Sequence, residues 1–162
     1  MKLEELFLDT LKDIYFAERQ ILKALPKMTK AAQAPKLKDG FTAHRQETEG
    51  QVERLVEVFE AIGKRAQGKT CEAIKGIIEE CEELLEDEPE AGSVRDAGLI
   101  ACGQAVEHYE MARYGALIAW AKALGKQDVV ALLQQNLDQE KTADSLLTSV
   151  AGPVNQAAAK AA

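Results

Sequence analysis

Acidic residues recur along this chain where helical periodicity calls for hydrocarbon: Glu18, Glu47, Glu107, Glu110, Glu140 and Asp144 fall on stripes otherwise occupied by apolar side chains. Burying one unpaired carboxylate costs on the order of several kcal/mol, so a cluster of them requires bound cations or protons. A single acid on such a stripe more commonly sits at its edge and reaches water. Glu107 and Glu110 are an i,i+3 pair, and Glu140 and Asp144 an i,i+4 pair, so each pair shares one helix face. His44 lies one turn before Glu47. Oxygen-rich, histidine-poor ligation at the centre of a helical bundle suits iron or manganese, whereas zinc sites carry more histidine or cysteine. Ion pairs with Arg19, Arg45, Arg113 or Lys141 would answer the same charge without a metal.

The elements that must position these residues are four long helices. Leu11, Ile14, Ile21, Leu25 and Met28 mark one buried stripe from Leu3 to about Ala32, with Pro26 expected to bend or interrupt its last turns. Pro35 restarts the chain at the first turn of a second helix, about Lys36 to Ile62, which Gly63 ends. Thr70 is a candidate cap for a shorter helix reaching about Glu86, and Ser93 for a third long helix to about Leu124, broken by Gly125. The fourth runs from Gln127 to about Val150 and is expected to stop at Gly152 and Pro153. One domain over residues 1–152 with a flexible alanine-rich tail over 153–162 follows.

Two short turns separated by one long connection define hairpins joined by a crossover that contains a short helix, the ferritin-like four-helix bundle. Heights along the helices bring the acids together. Glu18 and Glu110 precede their turns by about fifteen residues, and Glu47 and Glu140 follow theirs by about fourteen, so at about 1.5 Å per residue they share one level. Glu107, Gln51 and Asp144 lie one step further from the turns.

Composition narrows the function classes. A net charge of −7 repels phosphate backbones and anionic membrane surfaces, so neither nucleic acid nor a membrane is an expected partner. There is no run of about 18 apolar residues to span a bilayer, and the N-terminus is acidic and amphipathic, which leads us to expect a cytoplasmic protein. Cys71, Cys81 and Cys102 are scattered and lack the spacing of a thiolate metal site.

The runs FxxHxxET (Phe41, His44, Glu47, Thr48), QVERLxxVFExxG (Gln51 to Gly63), DAxLIxxxQAVEHYEMARYG (Asp96 to Gly115) and LDQEKTAD (Leu137 to Asp144) resemble the YciE/YciF family of ferritin-like bacterial proteins. The resemblance covers nearly the whole chain. It implies a rubrerythrin-like bundle with a dinuclear centre of two iron or manganese ions, association as a homodimer and a link to bacterial stress responses. A rubrerythrin-like site carries Glu-x-x-His on the second and fourth long helices. Here the second helix has His44 and Glu47 in reverse order, and the fourth has Ala143 at the histidine position, with Asp144 as a substitute. The resulting expectation is a protein that reacts with oxygen or peroxide, its metals bridged by Glu47 and Glu140 or their neighbours, with Glu18 and Glu110 as terminal ligands and His44, Glu107 and Asp144 beside them. The alternative is a non-catalytic helical protein whose metal site has become a polar network.

Overall fold

The computed structural model describes residues 1–161, which form five α-helices and, among the described residues, no strand. They are α1 (Leu3–Ala31), α2 (Pro35–Ala61), α3 (Glu72–Asp87), α4 (Ser93–Ala123) and α5 (Gln127–Ala158). The expected apolar stripes are the buried ones. Leu11, Ile14 and Leu25 of α1, Leu55 and Phe59 of α2, Leu99 and Leu117 of α4, and Leu133 of α5 join one core. Gly63 and Gly125 end α2 and α4 with φ of 68° and 70°, a left-handed conformation that glycine adopts without a Cβ penalty.

Two residues at the start of α4 fix the topology. The buried carboxylate of Asp96 accepts the backbone N–H groups of Gln33 (2.8 Å) and Ala34 (2.7 Å) in the α1–α2 turn. Arg95 Nη2 donates to the carbonyl of Ala31 at 2.7 Å, satisfying the C-terminal end of α1. The N-terminus of α4 therefore sits at the α1–α2 turn, and residues 62–92 must travel back along the whole length of α2. On the opposite side, Arg54 of α2 meets Asn136 of α5, while Pro35 and Val154 line a common cleft. α2 and α5 are thus antiparallel, and the long helices form a closed ring of neighbours: α1 with α2, α2 with α5, α5 with α4 and α4 with α1. α3 lies outside the ring against α4 and α1, where a Cβ on Gly98 would come within 2.6 Å of Leu84.

Several boundaries differ from the periodicity reading. Pro26 and Pro153 lie inside α1 and α5 instead of interrupting them. Both face solvent, where water can satisfy the carbonyl left without a donor. α5 consequently runs to Ala158, and Val154, assigned above to a flexible tail, is buried. The cap of α3 is Cys71, whose Sγ accepts the Ile74 N–H at 3.4 Å, and not Thr70. Ser93 is already helical, with Gly92 before it.

Candidate metal centre

Halfway along the ring, four helices each send an ionisable side chain to the axis. His44 comes from α2, Glu107 and Glu110 from α4, and Glu140 from α5, and one ligand atom from each lies within 4.8 Å of all the others. Glu18 of α1 completes the group. It is fully buried, accepts a hydrogen bond from the Tyr114 hydroxyl and approaches Glu110 within hydrogen-bonding reach. Glu107 meets Glu140 in the same way. His44 Nε2 lies 3.2 Å from Glu107 Oε1 and 3.6 Å from Glu140 Oε2, while its Nδ1 lies 3.3 Å from Glu47 Oε2. A proton on Nδ1 held by Glu47 leaves the Nε2 lone pair facing the centre.

The electrostatics of this group are those of acids without enough partners. Burial pushes the Glu18 carboxyl up to about 8, with the charge of Glu140 adding to the effect, and Glu107 up to about 7. Glu110 and Glu140 are raised well above the usual carboxylate range, first by burial and then by acidic neighbours, Glu140 and Glu18 for the former and Glu107 for the latter. Burial alone would lower His44, but the hydrogen bond to Glu47 and the charges of Glu140 and Glu18 outweigh it and raise the imidazole. Both oxygens of Glu110 and of Glu140, one oxygen each of Glu18 and Glu107, and His44 Nε2 have no well-directed hydrogen-bond partner. The side-chain amide of Gln51, one turn beyond Glu47, is also unpartnered.

The cations offered as an alternative lie elsewhere. Among the described residues, the ion pairs of Arg45 and Arg113 are with Glu49 and Asp13, and Arg19 lies over the Tyr15 ring. The cluster is buttressed instead by a hydrogen-bonded chain that ends on Arg54. Tyr114 accepts from Asn136 Nδ2 at 2.9 Å, and the Asn136 carbonyl accepts from Arg54 Nε at 2.5 Å. Arg54 also donates to Gln139. This chain holds the Glu18 carboxyl and ties α1, α4, α5 and α2 together at the level of the acids.

The sequence-derived candidates divide into three groups. Glu18, His44, Glu107, Glu110 and Glu140 converge. Glu47 stays at the margin, its side chain 36% exposed, touching the centre through His44. Asp144 is outside: it accepts from Gln104 Nε2 at 3.1 Å and lies 3.3 Å from His108 Nε2 on the exposed α4–α5 seam. Periodicity put the six acids on inward stripes and height brought four of them to one level, but periodicity fixes direction only to the width of a stripe, and Glu47 and Asp144 lie at its edge. Asn136 and Arg54 were not anticipated. The available signal was Asn136 itself, a polar residue one turn before Glu140 on the stripe of Leu133 and Leu137.

Fold and site together define an all-α protein with carboxylates buried at its helical core. The chain belongs to the family described as a domain of unknown function (DUF892), which matches residues 2–160. Protein YciF of Escherichia coli (strain K12) is 42% identical over 150 residues, covering 92% of this chain and 90% of that protein. The crystal structure of the E. coli stress protein YciF superposes with a TM-score of 0.91 at 40% identity, over 96% of this chain and 98% of that one. YcfI of Rhodopseudomonas palustris, to which a structural role is ascribed, gives a TM-score of 0.89 at 47% identity, over 91% and 94% of the two chains. A Xanthomonas campestris protein at 20% identity, with a TM-score of 0.77 over 98% and 97%, shares the fold. Among the described residues, no helix is long and apolar enough to cross a membrane.

Proposed function

We propose that this chain is a ferritin-like protein of the bacterial stress response that holds two iron or manganese ions at its core and reacts with oxygen or peroxide. The observation that carries this reading is the set of unpartnered buried lone pairs on Glu18, Glu107, Glu110, Glu140 and His44 Nε2. Four carboxylates balance the charge of two divalent cations, and the oxygen-rich donor set with one imidazole suits iron or manganese better than zinc. Bound there, the metals would supply redox and Lewis-acid chemistry.

The chain's own residues would do the rest. Glu18 and Glu140 approach from opposite hairpins, and Glu107 and Glu110 lie between them on α4. Glu47 orients the imidazole through Nδ1, and Tyr114 holds one oxygen of Glu18 so that the other faces inward. The hydrocarbon of Ile14, Leu55 and Leu117 keeps bulk water out. Homodimeric association and a cytoplasmic location belong to the same proposal. Elemental measurement on protein purified without chelators from iron- and manganese-replete cells should give about two metal ions per chain. Fully folded, metal-free protein that binds neither Fe(II) nor Mn(II) on titration would contradict it.

A second reading, a non-catalytic helical protein, is favoured by the acid pairs Glu18–Glu110 and Glu107–Glu140, which can each share a proton. It agrees with the role ascribed to the R. palustris relative. Oxidant consumption by metal-loaded protein separates the two.

A further inference from the structure

A cavity of about 100 Å³ adjoins the acid cluster. At its inner end it touches His44, Glu47 and Glu107, and at its outer end Lys27 and Glu82, whose side chains are 56% and 53% exposed and pair across its rim at 3.1 Å. Between these ends the walls are hydrocarbon, including Leu25, Phe41, Val106 and Leu147. Two glycines help keep the space open. A Cβ on Gly103 would approach Leu147 to 2.9 Å and Phe41 to 3.5 Å, and one on Gly40 would approach Leu146 to 3.1 Å. Apolar cavities stay dry, and one of roughly 150 Å³ accepts benzene; here the stretch between the polar ends has that character. Between the two ends, water would find few hydrogen-bond partners.

We propose that this cavity is a binding site for a small, uncharged, hydrocarbon-bodied molecule, which it holds with one end against His44 and Glu107. The binding follows from the cavity alone; its role as the organic substrate or oxidant of the centre rests on the metal reading above. A charged body is disfavoured along the hydrocarbon walls, because the charged groups stand only at the two ends. Hydrogen peroxide, small and polar, gains nothing from these walls, so the site selects oxidants or substrates with an apolar body.

The test uses benzene as probe and glycerol as polar control, on the metal-free protein and on the protein titrated with Mn(II). Benzene should raise the melting temperature and shift amide resonances of Phe41, Val106 and Leu147, and glycerol should do neither. Ala24→Leu, which fills the cavity from α1, should weaken benzene binding at least about tenfold while leaving Mn(II) affinity unchanged. Should that variant fail to fold, xenon bound in crystals of the unaltered protein reads the same site. Bound Mn(II) should also change its electron paramagnetic resonance spectrum when benzene enters. No benzene or xenon binding overturns the site even if Mn(II) binds normally. Benzene binding that leaves the Mn(II) spectrum unchanged overturns the role at the centre.

Discussion

Asp96 and Glu110 are acids on the same helix, both buried, yet they are treated in opposite ways. Asp96 places its two oxygens on two backbone N–H groups of the α1–α2 turn. Glu110, four turns further along, has no partner but another acid, Glu18. The first arrangement is complete as it stands and serves the fold, because its hydrogen bonds lock a helix start to a turn. The second is incomplete, and nothing in the packing of α4 requires it, since leucine would fill the same position without desolvating a charge. A buried acid whose partners are all supplied by the chain marks architecture, and one facing only other acids is where the proposed metal site would be.

Substitutions at the two places should move stability in opposite directions. Asp96→Ala removes two charge-assisted hydrogen bonds at once and should destabilise the protein by about 3 kcal/mol, read by urea denaturation. A loss below about 1 kcal/mol would remove the architectural half of the contrast. Glu140→Leu should do the reverse. It takes one buried acid from the cluster and should stabilise the metal-free protein by about 1–3 kcal/mol while abolishing metal binding. A destabilised metal-free variant would mean that the acid pairs are a finished network.

The cluster should also give the metal-free protein an unusual pH dependence. Folded Glu18 and Glu107 hold protons up to about 8 and about 7, whereas in the unfolded chain they release them near 4.5. Between these values the folded state binds more protons, so their contribution to stability is fully present below about pH 4.5 and is lost as the pH rises through 7 and 8. Metal must displace those protons, so its affinity should increase across the same window. Thermal unfolding at a series of pH values, with and without Mn(II), checks both slopes; a metal-free protein that gains stability from pH 5 to 8 contradicts the assignment. The smallest effect belongs to Asp144→Asn. Because Asp144 lies on the outer seam with Gln104 and His108, its loss should change stability by no more than about 0.5 kcal/mol and leave metal stoichiometry intact.

The helices and one half of this contrast are legible in the sequence. Periodicity located the helices, because α1 and α2 bury one stripe each and glycines end α2 and α4 in the left-handed conformation. Counting rise from the turns brought Glu18, Glu110 and Glu140 to one level, since two antiparallel hairpins share a common origin at their turns. A helical stripe is about 100° wide, so periodicity does not separate its edge from its centre, and Glu47 and Asp144 turn out to lie at the edge. Pro153 was read as a stop because local propensity ignores the packing of Val154, which rewards continuing α5. The Asp96 cap was invisible for a different reason: its partners are backbone groups more than sixty residues away, and no side-chain pattern announces them.

The central claim, that the mid-bundle acids are an unfinished coordination set, is tested most directly by anaerobic titration of metal-free protein with Mn(II), followed by calorimetry and electron paramagnetic resonance, alongside Glu110→Gln. The expected result is about two ions per chain for the unaltered protein, with affinity at least about a hundredfold weaker in the variant. Equal Mn(II) uptake by the two proteins, or none by either while both remain folded, would contradict it.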